Sequence, residues 1–83
     1  MLETKATEMF KATIRDWREE RSYLILKKVI GHLSYGGTTE RFEVVKRWSA
    51  QGWGEAGILT DTLKGVEFTR GELKGLSRYD GTR

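Results

Sequence analysis

Apolar and near-apolar positions recur at three- and four-residue intervals over residues 3–21, at Ala6, Met9, Phe10, Thr13, Ile14 and Trp17. That period lays them on one stripe of an amphipathic helix. Lys11, Arg15 and Glu19 follow at four-residue steps with Asp16 and Glu20 beside them, so compensating charge laces the other face.

Over residues 22–50 the pattern changes. Two runs rich in β-branched and aromatic residues flank Gly36-Gly37, and a two-glycine loop between such runs predicts a tight hairpin with positive φ at both turn positions. Counting outward from that turn sets Tyr35 opposite Thr38, Val29 opposite Val44 and Ile25 opposite Trp48. One face then collects Ile25, Val29 and Leu33 with Phe42, Val44 and Trp48. The reverse face collects Lys28, His32, Arg41 and Arg47 with Ser34, Thr39, Ser49 and Glu43, although Leu24, Leu26, Ile30 and Val45 intrude. The same register sets Lys27 across from Lys46, a repulsive pair unless an acid or anion lies between them or a bulge shifts the strand. Leu26, Val29, Ile30 and Leu33 also fit a helical stripe, and Thr39, Phe42, Val45 and Ser49 fit a second helix ending at Gly52.

Residues 51–57 are too glycine-rich for regular structure and are expected to form a loop carrying Trp53. Residues 58–63 and 66–70 flank Lys64-Gly65 and predict a second hairpin. Thr69 and Glu72 have capping-box spacing, which predicts a short helix from Arg70 to about Arg78. The expected fold is α+β in a single domain over residues 1–83: an N-terminal amphipathic helix packed on two β-hairpins, with a short C-terminal helix. The alternative is an all-α, helix-turn-helix-like domain.

At 83 residues the chain has room for one small core. It contains no cysteine, so neither a disulfide framework nor a thiolate metal site is expected, and the cytoplasm is the expected compartment. The longest uninterrupted apolar run, Tyr23 to Leu26, is far below the roughly 20 residues of a membrane span, so no membrane association is expected. Charge adds the one spatial hint. The net +3 resides entirely in residues 22–50, where Lys27, Lys28, Arg41, Lys46 and Arg47 face only Glu40 and Glu43; the flanking segments each carry five bases and five acids. Charge gathered on one element steers an anionic partner to one place.

Candidate chemistry is sparse. Residues 52–57 match G-x-G-x-x-G, but the fingerprint needs a strand before it, a helix after it and an acid about 20 residues on, and too little chain follows. His32 is the sole histidine, so no metal and no cofactor are expected. Ser22, Ser34, Ser49 and Ser77, weighed with His32 and Asp16, Asp61 or Asp80, lie in no recognisable nucleophile context, and the chain is not expected to be an enzyme. Trp53, Tyr35 and Tyr79 sit in or beside loops and ends, where an exposed aromatic next to a cation stacks bases while the cation pairs phosphate.

Two functions from different classes follow. The first is a non-catalytic module that binds DNA or RNA through the basic hairpin face, using Lys27, Lys28, His32, Arg41, Lys46, Arg47 and Trp53. The second is a protein-interaction subunit or small inhibitor, suggested by Leu24, Leu26, Ile30 and Val45 among the cations. A homodimer through the hairpin edges or that mixed face would relieve the small-core problem.

Overall fold

A computed structural model of the chain describes residues 2–18, 21–50, 54 and 56–81. It consists of β1 (Leu2–Ile14), β2 (Ser22–His32), β3 (Thr38–Ser49), β4 (Ile58–Thr60), β5 (Glu67–Phe68), a 3-10 turn (Arg70–Glu72) and β6 (Leu73–Tyr79). All pairings are antiparallel, in the order β4-β3-β2-β1-β6, with β5 also alongside β3.

The architecture corrects the expected α+β fold and its all-α alternative, since no α-helix occurs among the described residues. Most of the segment expected to be an N-terminal helix is strand β1, paired with β2 on one side and, from Met9 onward, with the edge strand β6 on the other. Its apolar residues serve a strand once it is paired: Phe10, Ala12 and Ile14 alternate onto one face, opposite Leu26, Leu24 and Leu73. Met9 and Thr13 lie on the opposite face, and their interleaving with Phe10 and Ile14 mimics a helical period in a count along the chain. The expected C-terminal helix is likewise replaced by one 3-10 turn and β6. Thr69 stands at the N-cap position but its side chain makes no capping hydrogen bond.

The first hairpin forms in a different register from the one counted above. Gly36 and Gly37 adopt positive φ, 98° and 90°, but the loop spans residues 33–37 and His32, not Tyr35, faces Thr38. The Leu33 amide donates to the Gly37 carbonyl at 3.1 Å and the Gly36 amide to the Leu33 carbonyl at 3.2 Å, closing the longer loop. A second shift between Ile25 and Leu26 leaves Val45 as an extra residue on β3. Lys27 therefore faces Glu43, and the repulsive Lys27–Lys46 pairing does not arise.

The expected second hairpin does not form. β4 and β5 each pair with β3 and not with each other, and Lys64-Gly65 is a turn in which Leu63 and Gly65 have φ of 71° and 85°. Both short strands spend their hydrogen bonds on the longer neighbour, which offers a complete edge.

The core lies on one face. Ala12, Leu24, Leu26, Phe42, Val44 and Leu73 are buried there, with Phe10, Ile14, Trp17, Leu63, Phe68 and Leu76 packed against them. The Phe10 and Phe42 rings meet edge to face at 5.8 Å. From β5 the chain passes across this face to β6 at the opposite edge, and the 3-10 turn is pinned on the way. The Arg70 guanidinium lies over the Phe42 ring at 5.3 Å, and the Arg15 amide donates to the Glu72 carbonyl at 3.1 Å. The molecule is elongated, 50 × 24 × 19 Å, with a Cα radius of gyration of 13.9 Å against about 12 Å for a compact chain of this length. Length comes from β1, β2 and β3, which run on past the ends of β5 and β6 as a three-stranded arm.

Candidate nucleic-acid interface

Alternation along the paired strands assigns every charged side chain of the sheet to a face. The core face takes Lys28, Arg47 and His32 from the expected basic set, and the face turned away from the core takes Lys27, Arg41 and Lys46. The five cations of residues 22–50 thus do not share one surface. Because Phe42 and Val44 belong with Leu24 and Leu26, Arg41 is carried to the opposite side from Lys28.

Most of these cations are held by acids. Lys28 bonds Glu40 at 3.0 Å, Lys46 bonds Asp61 at 2.6 Å, and Arg41 bonds Glu3 and Glu67, the latter at 3.1 Å. The two carboxylates beside Arg41, Glu3 foremost, raise its pKa, and Lys46 holds the Asp61 carboxyl below the usual carboxylate range. Glu40 accepts from Arg70 at 2.8 Å as well as from Lys28; chiefly through the Arg70 hydrogen bonds, and then through Lys28, its pKa falls from 4.5 to about 2 against an opposing effect of partial burial. The Arg47 guanidinium stacks over Trp17 at 4.4 Å, covering the core-face rim. His32 is exposed at the far end of β2. Trp53 lies outside the described residues, as do Gly52 and Glu55 of the G-x-G-x-x-G segment.

Leu24 and Leu26 are fully buried, so the apolar residues that intruded on the expected basic face belong to the core. Val45 is the bulge residue and Ile30 is half-buried.

The face opposite the core is built differently. Cross-strand neighbours set Lys46, Ile25, Lys11 and Ser77 in one row and Glu43, Lys27, Met9 and Tyr79 in the next, with Trp48, Tyr23, Thr13 and Lys74 on the other side of Ile25. Ile25 is only 3% exposed although it faces away from the core, and the long side chains around it, Lys11, Lys27 and Lys46, are those placed to cover it. Tyr23 stacks on Trp48 at 4.8 Å and 15°, and the Lys11 ammonium sits 5.5 Å from the Tyr23 ring centre. Gly57 closes the stack from the β4 side: a methyl group there would overlap the Trp48 indole at Cε2, Nε1 and Cζ2, so only glycine fits.

No aspartate or glutamate occurs in β2, in β6, or in β1 from Met9 onward. These three adjacent segments present Lys11, Lys27 and Lys74 with Tyr23 and Tyr79 on the open face, and none of the three lysines carries an ion pair among the described residues. Lys11, Lys74, Tyr23 and Tyr79 were not singled out together from sequence, because their convergence requires β1 and β6 to be neighbouring strands.

Searched against protein-family models, curated proteins and solved structures, the chain matches none. Among the described residues no helix is long and apolar enough to cross a membrane.

Proposed function

We propose that this chain is a non-catalytic module that binds single-stranded nucleic acid on the open face of its sheet. The supporting observation is the carboxylate-free stretch of β2, β6 and β1 from Met9 onward, where Lys11, Lys27 and Lys74 surround Tyr23 and Tyr79. Unpaired ammonium groups bind phosphates without first surrendering an acid, and the Tyr79 ring accepts a base by stacking regardless of sequence, while Tyr23, already stacked on Trp48, holds the Lys11 ammonium beside it. Lys46, shared with Asp61, contributes at the margin. Lys28 and Arg47 take structural roles on the core face, so they drop out of the proposed site together with Arg41.

Single strands are favoured by width. The hairpin is not a bare two-stranded ribbon, since β1 flanks β2 along its length and β4 and β5 flank β3. Five strands at about 4.8 Å spacing make a slab about 19 Å across, too wide for a major groove of about 12 Å. A flat face of that width suits an extended strand laid over it.

The test is fluorescence anisotropy with single-stranded DNA, single-stranded RNA and duplex DNA at two salt concentrations. Three phosphate contacts give an expected salt slope of about −2 on single strands, and Lys27→Gln or Lys74→Gln is expected to reduce its magnitude by about 0.7 each. Equal binding to duplex, or no change on removing Lys27 and Lys74, would overturn the assignment.

A further inference from the structure

Sheet edges are where a chain of this kind invites partners, and most of those here are protected. β4 is three residues long and β5 two. β6 carries Lys74 and Arg78 and is interrupted by a register shift at Gly75, whose φ is 67°. Two stretches of the arm are open among the described residues, the outer edge of residues 38–41 of β3 and the start of β1, and only the second has a charge pattern complementary to itself. β2 pairs with residues 2–5 on one side, but β6 reaches only Met9, so the outer edge of residues 2–6 has no partner among the described residues. This stretch is regular from Leu2 to Lys5, and Leu2 is 72% exposed.

Its sequence, Leu2-Glu3-Thr4-Lys5-Ala6, has a mirror pattern of charge about Thr4. We propose that two copies of this chain associate by antiparallel pairing of these edges, Thr4 against Thr4. In that register Glu3 of each copy faces Lys5 of the other, and Leu2 faces Ala6. Moving the centre of symmetry to Glu3 or to Lys5 puts like charges opposite each other, which is destabilising, so the charges select one alignment. A two-fold contact must be complementary to itself, and this edge is. The pairing ends before Met9, so β6 does not obstruct it. Two arms then join into a continuous six-stranded ribbon, with the lysine-bearing bodies at opposite ends.

Within each copy Glu3 also bonds Arg41, and Lys5 bonds Glu43 at 2.9 Å. The experiment must therefore separate contacts between copies from contacts within one. Sedimentation equilibrium of the wild-type chain, at concentrations on the order of 100 µM, is expected to give a mass approaching twice 9.6 kDa. Glu3→Lys and Lys5→Glu are each expected to weaken self-association at least about tenfold, because each sets two like-charge pairs across the contact. An equimolar mixture of the two variants restores both opposite-charge pairs between copies while leaving the internal pairs broken, and is expected to associate. A wild-type mass of 9.6 kDa at every concentration, insensitivity to the single variants, or a mixture that stays monomeric would each overturn the proposal.

Discussion

Glu40 joins three elements with one carboxylate. It holds Lys28 of β2 and Arg70 of the 3-10 turn while standing on β3, and the turn is thereby clamped over Phe42. Its folded pKa of about 2 lies below the ordinary 4.5, so the unfolded chain takes up a proton first as pH falls. The stabilisation is fully present above about pH 4.5 and is lost progressively toward pH 2. Arg70 is 59% exposed, and solvent screening reduces the full linkage value, leaving about 1–2 kcal/mol for Glu40→Gln near neutral pH. Urea unfolding of both proteins across that range is expected to show the difference shrinking to near zero at the acid end. A difference that stays constant with pH would contradict the clamp.

Strand register decides which residues can act together. The glycine pair made the hairpin visible in sequence, because positive φ at two consecutive positions suits glycine. Its alignment was not visible, since the loop recruits Leu33, Ser34 and Tyr35, which exchanges the faces of residues 38–44 relative to β2, and the Val45 bulge then returns residues 46–49 to the faces first counted. β6 shows the same effect. Leu73 and Leu76, three apart, resemble a helical pair, yet an extra residue near Gly75 lets both reach the core from a strand. Oxidative cross-linking tests the alignment: with Lys27→Cys and Glu43→Cys, opposed Cα atoms lie within disulfide range, and a bridge is expected on mild oxidation. Lys27→Cys with Lys46→Cys is expected to stay reduced. The converse result would restore the two-residue turn.

Charge distribution over the assembled sheet explains why part of the candidate site could be read and part could not. Lys27 and Lys46 were legible as members of a basic segment. Lys11 and Lys74 were not, because each lies in a segment whose bases and acids balance. The acids of the first segment fall at Glu3, Glu8, Asp16, Glu19 and Glu20, leaving β1 from Met9 onward free of them. Only folding brings that stretch beside β2 and β6 and turns two neutral segments into the margins of one basic face. Core-face cations are meanwhile committed to structure, Arg47 over Trp17 and Arg70 over Phe42. Side-chain chemical-shift mapping during titration with a single-stranded oligonucleotide separates the two faces. Perturbations are expected at Lys11, Tyr23, Lys27, Lys74 and Tyr79, with Lys28, Arg47 and Arg70 unmoved. Shifts centred on the core-face cations or the arm tip, or none at all, would contradict binding on the open face.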